Sequence, residues 1–90
     1  MEIPTVYVGD LVIYTEPDGT DRNALVTAVW SPQCINVVYV NGDENQKDQY
    51  GRQIKRSTSV LYAGVTGTAH GQIWRLPIEP KPEYKPPINS

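Results

Sequence analysis

Phenylalanine is absent from these 90 residues, cysteine and histidine occur once each, and no apolar run approaches the ~20 residues of a membrane-spanning helix. Each absence removes a class of explanation. The single thiol, Cys34, rules out an internal disulfide framework and a cysteine-rich metal site. It has no basic or histidine neighbour in sequence to stabilise a thiolate, so it reads as a buried or half-buried cysteine. His70 lies between Gly67 and Gly71 with no cysteine or carboxylate cluster nearby. It lacks co-ligands for a metal and a positioned acid to orient it as a base.

The sequence contains no GxGxxG, Walker, GxSxG or HExxH motif. Asp10, Glu16, Asp18 and Asp21 do not follow the alternating spacing of a twelve-residue calcium loop and read as solvated turn acids. The expectation is a protein that is not an enzyme, with no cofactor, metal or small-molecule substrate. The opening MEIPTVYVGD lacks the basic flank and apolar stretch of a signal peptide, which predicts cytosolic synthesis and no membrane partner.

Charge is distributed unevenly. Residues 1–50 carry two basic against eight acidic side chains, net −6, and residues 51–90 carry six basic against two acidic, net +4. Such a molecule suits packing against copies of itself or a charged protein surface, whereas phosphate-backbone binding wants an uninterrupted basic surface.

Residues 5–15, TVYVGDLVIYT, are rich in β-branched and aromatic side chains and predict a strand with a kink or bulge at Gly9-Asp10. Glu16-Pro17-Asp18-Gly19 is hairpin turn chemistry, with Pro pre-setting φ and Gly taking the positive-φ position. Residues 23–30 alternate Ala24, Val26, Ala28 and Trp30 against Leu25, Thr27 and Val29. Both sets are largely apolar, as in a strand covered on both sides. Residues 35–40 form a third strand before the Asn41-Gly42 turn, and residues 42–51, with no aliphatic side chain, an exposed loop. Residues 52–62 predict a fourth strand with Ile54, Arg56, Thr58, Val60 and Tyr62 on one side. A glycine-punctuated loop over 63–71 and a short closing strand over 72–76 follow.

No segment has helical periodicity, and five short strands are too few for a two-sheet sandwich. The economical solution is a barrel that closes on itself and so removes its edges. The fold class predicted is all-β: a small five-stranded SH3-like barrel over residues 1–76, with an OB-fold as the alternative.

After the barrel the chain changes character. Pro77, Pro80, Pro82, Pro86 and Pro87 make five of the last 14 residues proline, which excludes helix and central strand and predicts an extended arm over residues 77–90. At ~3.1 Å per residue such an arm reaches roughly 40 Å, enough to lie across a neighbouring molecule.

Tyr and Trp are the only aromatics, and each combines an apolar body with a polar tip, the composition of faces buried against something wet. Trp30 and Tyr39 are expected to fill the core. Trp74 and Tyr84, at the border of the arm and inside it, are expected to meet a partner together with Arg75 and the arm prolines. Arg52, Lys55 and Arg56 form one basic cluster, read either as charges guarding a strand edge or as a patch for an acidic partner. Three charges without interleaved aromatics are a weak nucleic-acid signal.

The run VGDLVIYTEPDGTDRNALVTAVWS at 8–31, with INVVYVNGD at 35–43 and TSVLY at 58–62, resembles a set of small proteins encoded by tailed bacteriophages, often near head and structural genes. The resemblance implies an SH3-type barrel with a Pro-Asp-Gly turn and a strand ending in Val-Trp-Ser. It also implies a virion protein, made in the host cytoplasm, whose partners are the major capsid protein or other virion subunits, with homo-oligomers a further possibility. With the arm it suggests a decoration or cement protein that clamps capsid neighbours. The alternative is a KOW- or Tudor-like nucleic-acid-binding or regulatory barrel, because GDLVIY followed by a hairpin is equally a KOW-like opening.

Overall fold

The computed structural model describes residues 3–66 and 72–79. Strand β1 is Leu11–Thr15, β2 Asp21–Ser31, β3 Cys34–Val40, β4 Lys47–Asp48, β5 Gly51–Arg52, β6 Ile54–Tyr62 and β7 Ile73–Arg75, with one helical turn, α1, at Ala63–Thr66. Five strands close a barrel in the order β1-β2-β3-β6-β7. The first four form an antiparallel meander. After α1 the chain crosses so that β7 runs antiparallel to β1 and parallel to β6, which shuts the barrel. The architecture is the SH3-like one expected, with α1 inside the segment read as loop.

The turn at 16–19 forms as its residues dictate: Gly19 takes φ 91° and its N–H donates to the Glu16 carbonyl at 2.8 Å. The Thr20 N–H donates to Asp18 Oδ1 at 2.9 Å, and this bond holds the Asp18 carboxyl below its ordinary pKa. The expected kink or bulge at Gly9-Asp10 forms, joined to a turn: Gly9, at φ 94°, donates its N–H to the Val26 carbonyl at 2.8 Å, the Val26 N–H donates to the Asp10 carbonyl at 3.0 Å so that two residues oppose one, and the Asp10 N–H donates to the Tyr7 carbonyl at 3.0 Å. The barrel strand therefore begins at Leu11 rather than residue 5. Of the loop expected over residues 42–51, Gly42 is half-buried and residues 43–51 are exposed, and with Arg52 they fold into a small hairpin in which Lys47 pairs with Arg52 and Asp48 with Gly51.

Tyr14, Val12, Val26, Ile35, Val37, Val60 and Trp74 are buried at the centre of the barrel. Trp74 was expected at an interface and instead has no exposed surface. It stands in register with Tyr14 on β1 and Tyr62 on β6, so its indole closes the core at the point where β7 seals the barrel. Its ring lies 4.8 Å from that of Tyr62, and its Nε1 donates to the Gln33 carbonyl at 3.1 Å. Burying so large a side chain contributes ~2–3 kcal/mol, more than any surface pair of this chain could supply.

β2 is not covered on both sides. Ala24 and Val26 face inward, while Leu25 and Val29 remain 48% and 41% exposed. Of the arm expected over residues 77–90, residues 80–90 lie outside the described residues. Residues 76–79 make a turn with Pro77 second, the Glu79 N–H donating to the Leu76 carbonyl at 3.0 Å. The Glu79 carboxylate accepts from the Leu76 N–H at 2.8 Å and from the Tyr62 hydroxyl, so the described structure is tied to the barrel through residue 79.

Candidate protein-docking face

Strict alternation from Ala24 and Val26 would carry Trp30 into the core. Two register shifts in β2, between Val26 and Ala28 and between Val29 and Ser31, prevent this. Each inserts an extra residue, Thr27 and then Trp30, opposite β3, and a one-residue insertion reverses which face the following side chains take. Ala28 is consequently paired with Asn36, and Trp30 is 67% exposed. The expectation that Trp30 fills the core is thereby corrected.

The exposed indole is held in place. Its Nε1 donates to Asn36 Oδ1 at 2.9 Å, and the same oxygen accepts the Ser59 N–H at 3.0 Å. On β6, Thr58 and Ser59 together stand opposite Asn36, because Ile35 pairs with Val60 and Val37 with Ser57. Ser59 adopts φ 56° to accommodate the extra residue, and the Asn36 side chain completes the interrupted ladder. This bulge also breaks the alternation predicted for 52–62 by exposing Thr58 with Ser59 and burying Ser57.

Two grooves flank the indole. One, of about 500 Å³, is lined by Thr5, Tyr7, Val8, Val29, Trp30 and Pro32 and is mainly apolar. Tyr7 and Val8 are 68% and 67% exposed but not loosely placed. Buried Val6 anchors them on one side, and the Gly9 N–H donates to the Val26 carbonyl at 2.8 Å on the other. The Tyr7 N–H also donates to Asp10 Oδ2 at 2.8 Å. The second groove, of about 370 Å³, is mixed in character, with Val37 and Val38 beside Thr27, Asn36, Arg56, Ser57 and Thr58. Fixed aromatic surface beside hydroxyl, amide and guanidinium groups suits protein recognition. Among the described residues no three His, Cys, Asp or Glu side chains converge as a metal site would require.

The predicted site residues do not form one patch. Arg56 pairs with Val38 and lines the second groove, whereas Lys55 pairs with Tyr39 and so leaves the opposite face of the sheet. Arg52 sits on the small hairpin, 3.9 Å from Glu44. Arg75 is a clamp: its Nη2 donates to Asp21 Oδ2 at 3.0 Å and its Nε to the Glu79 carbonyl at 3.4 Å. Pro77 is exposed in the turn, and Pro80, Pro82, Tyr84, Pro86 and Pro87 lie outside the described residues. Tyr7, Trp30 and Asn36 were missed as a group. The available signal was Asn36 itself, an amide in a run of β-branched residues where strands disfavour it.

Compared with protein-family models, with curated proteins and with solved structures, the chain matches none.

Proposed function

We propose that this protein is a non-catalytic docking module of a bacteriophage particle, a decoration or cement protein that clamps neighbouring capsid subunits. The observation that carries the reading is Trp30, a large exposed aromatic fixed by Asn36 beside the Tyr7–Val8 surface. Exposed Trp and Tyr in rigid positions are the side chains on which interface energy concentrates. Because the indole is already oriented, little side-chain freedom is lost when a partner covers it. The setting within a virion comes from the resemblance of residues 8–62 to small phage barrels.

Mechanistically, the capsid subunit covers Trp30, Tyr7 and Val8, and the hydroxyl, amide and guanidinium groups of the second groove, Arg56 among them, supply orientation. The proline-rich residues 80–90 start from a point rooted by Glu79 and reach a second subunit, which converts one contact into two at high effective concentration. The test is binding of the full chain and its Trp30→Ala variant to purified shells lacking the protein. A hot-spot loss of ~2 kcal/mol corresponds to roughly 30-fold weaker binding. Equal binding removes the proposal, as does salt-sensitive binding to DNA or RNA with none to shells.

A further inference from the structure

A second surface lies further back along β2, on the outer wall of the barrel. Leu11, Leu25 and Val38 stand in register across β1, β2 and β3, with Val40 and Ile54 paired in the next row. Leu11, Leu25, Val40 and Ile54 are 50%, 48%, 54% and 67% exposed and line an apolar groove of about 200 Å³. Asn23 and Val40 also line an adjoining cleft of about 240 Å³, whose other walls are Arg22, Asn41 and Arg52. The groove therefore runs from hydrocarbon into a pair of guanidinium groups. The two halves together name a ligand more narrowly than either alone.

The cleft is built to donate hydrogen bonds. The Arg22 guanidinium rests on Gly42, where an added Cβ would collide with Nη2, so the close approach needs a residue without one. Its Nε donates to Glu16 Oε2 at 3.2 Å, and neither Nη atom has a hydrogen-bond partner among the described residues. Arg52 meets Glu44 at 3.9 Å, too long for a hydrogen bond, and that glutamate side chain is 80% exposed. Glu44 is a loose counter-ion that a better-placed carboxylate can replace. Asn41 Oδ1 accepts the Asp43 N–H at 3.0 Å, which turns the amide nitrogen to the role of donor. A carboxylate matches these donors because a guanidinium grips its two oxygens at once. The apolar rows are too small for another barrel. From β1 to β3 and from Leu25 to Asn23 they cover ~10 Å by ~7 Å, whereas a stable contact between folded proteins needs ~800 Å² on each partner. An extended segment fits, since its side chains two positions apart lie ~7 Å apart on one face, the spacing that separates Leu25 from Asn23.

We propose that groove and cleft together bind an extended segment of another protein in which an apolar side chain and a carboxylate stand two residues apart. The apolar group lies over Leu11, Leu25 and Val40, and the carboxylate enters between Arg22 and Arg52. The inference depends neither on Trp30 nor on a virion setting. The probe is a capped pentapeptide, Gly-Leu-Gly-Glu-Gly, with Gly-Leu-Gly-Gln-Gly as its uncharged counterpart. Each is titrated into the full chain while methyl and arginine Nε–H signals are followed by nuclear magnetic resonance. The Glu peptide should shift the methyls of Leu11, Leu25, Val40 and Ile54 together with the Nε–H signals of Arg22 and Arg52, and the Gln peptide should bind roughly tenfold more weakly. Arg52→Gln, at an exposed position on the small hairpin, should narrow that difference while the signals of buried Val26 and Val37 stay in place. No shifts, or equal affinity for the two peptides, overturn the inference. So do arginine shifts with unmoved methyls, the pattern of a free anion, and shifts confined to Trp30 and Tyr7. The same methyl shifts on concentrating the chain without peptide also overturn it, because they assign the groove to a second copy.

Discussion

Trp30 and Asn36 are joined by a 2.9 Å hydrogen bond from indole Nε1 to amide Oδ1, and the same oxygen accepts the Ser59 N–H at 3.0 Å. One side-chain oxygen thus fixes both an exposed ring and a break in the β3–β6 ladder. Asn36→Ala should leave the Ser59 amide without its protein partner and cost ~1–2 kcal/mol. In the same variant the Trp30 indole N–H should exchange with water faster. Asn36→Asp keeps the acceptor and should preserve both signals, which proton exchange measured by nuclear magnetic resonance would show.

The two tryptophans should respond oppositely to truncation. Trp74 is wholly buried, so Trp74→Ala should cost ~3–5 kcal/mol, a large part of the stability of so small a barrel. Trp30→Ala should change stability by less than ~0.5 kcal/mol, because its ring is mostly in water and only one bond to Asn36 is lost. Urea unfolding of both variants checks the ordering; a larger loss for Trp30 would contradict the assignment of core and surface.

Ser59 at φ 56° occupies the left-handed region, which costs a residue with a Cβ ~1–2 kcal/mol. Ser59→Gly relieves that cost and gives back part of it as unfolded-state entropy, for a net gain of ~0.5 kcal/mol. Ser59→Val, β-branched, should lose ~1–2 kcal/mol at the same position. Thermal unfolding of the two variants should therefore move in opposite directions from the wild type.

Alkaline pH should loosen the barrel through Tyr62 and Tyr39. The hydrogen bond to Glu79, with burial second, raises Tyr62 to about 12, and burial, with Tyr14 second, raises Tyr39 to about 12. In the unfolded chain both titrate near ~10. The folded state therefore retains protons that the unfolded state releases, so this contribution is fully present below pH ~10 and is lost as pH rises to ~12. Tyr62→Phe should roughly halve the steepness of that loss, as denaturation midpoints measured across this window will show.

The strand content and closure were legible because alternating β-branched residues between Pro-, Gly- and Asn-bearing turns leave few other arrangements. The candidate site was not legible, for a local reason. Ala24 to Trp30 is apolar on both phases, so alternation could not say which face was inside, and the bulges at Thr27 and Trp30 then reversed the phase. Trp74 was misplaced because its nearness to the prolines suggested a border position. In fact β7 is three residues long and must fill the barrel's closing seam with whatever side chain it carries inward. The turn at 76–79 was hidden by the same prolines, since Pro77 suits the second position of a turn as well as an extended arm.

The proposed grip on a capsid is best checked by quantitative mass spectrometry of purified phage particles. The expected result is the chain in copy numbers that scale with the capsid subunits. Particles that are intact and infectious yet contain none of it would contradict the claim.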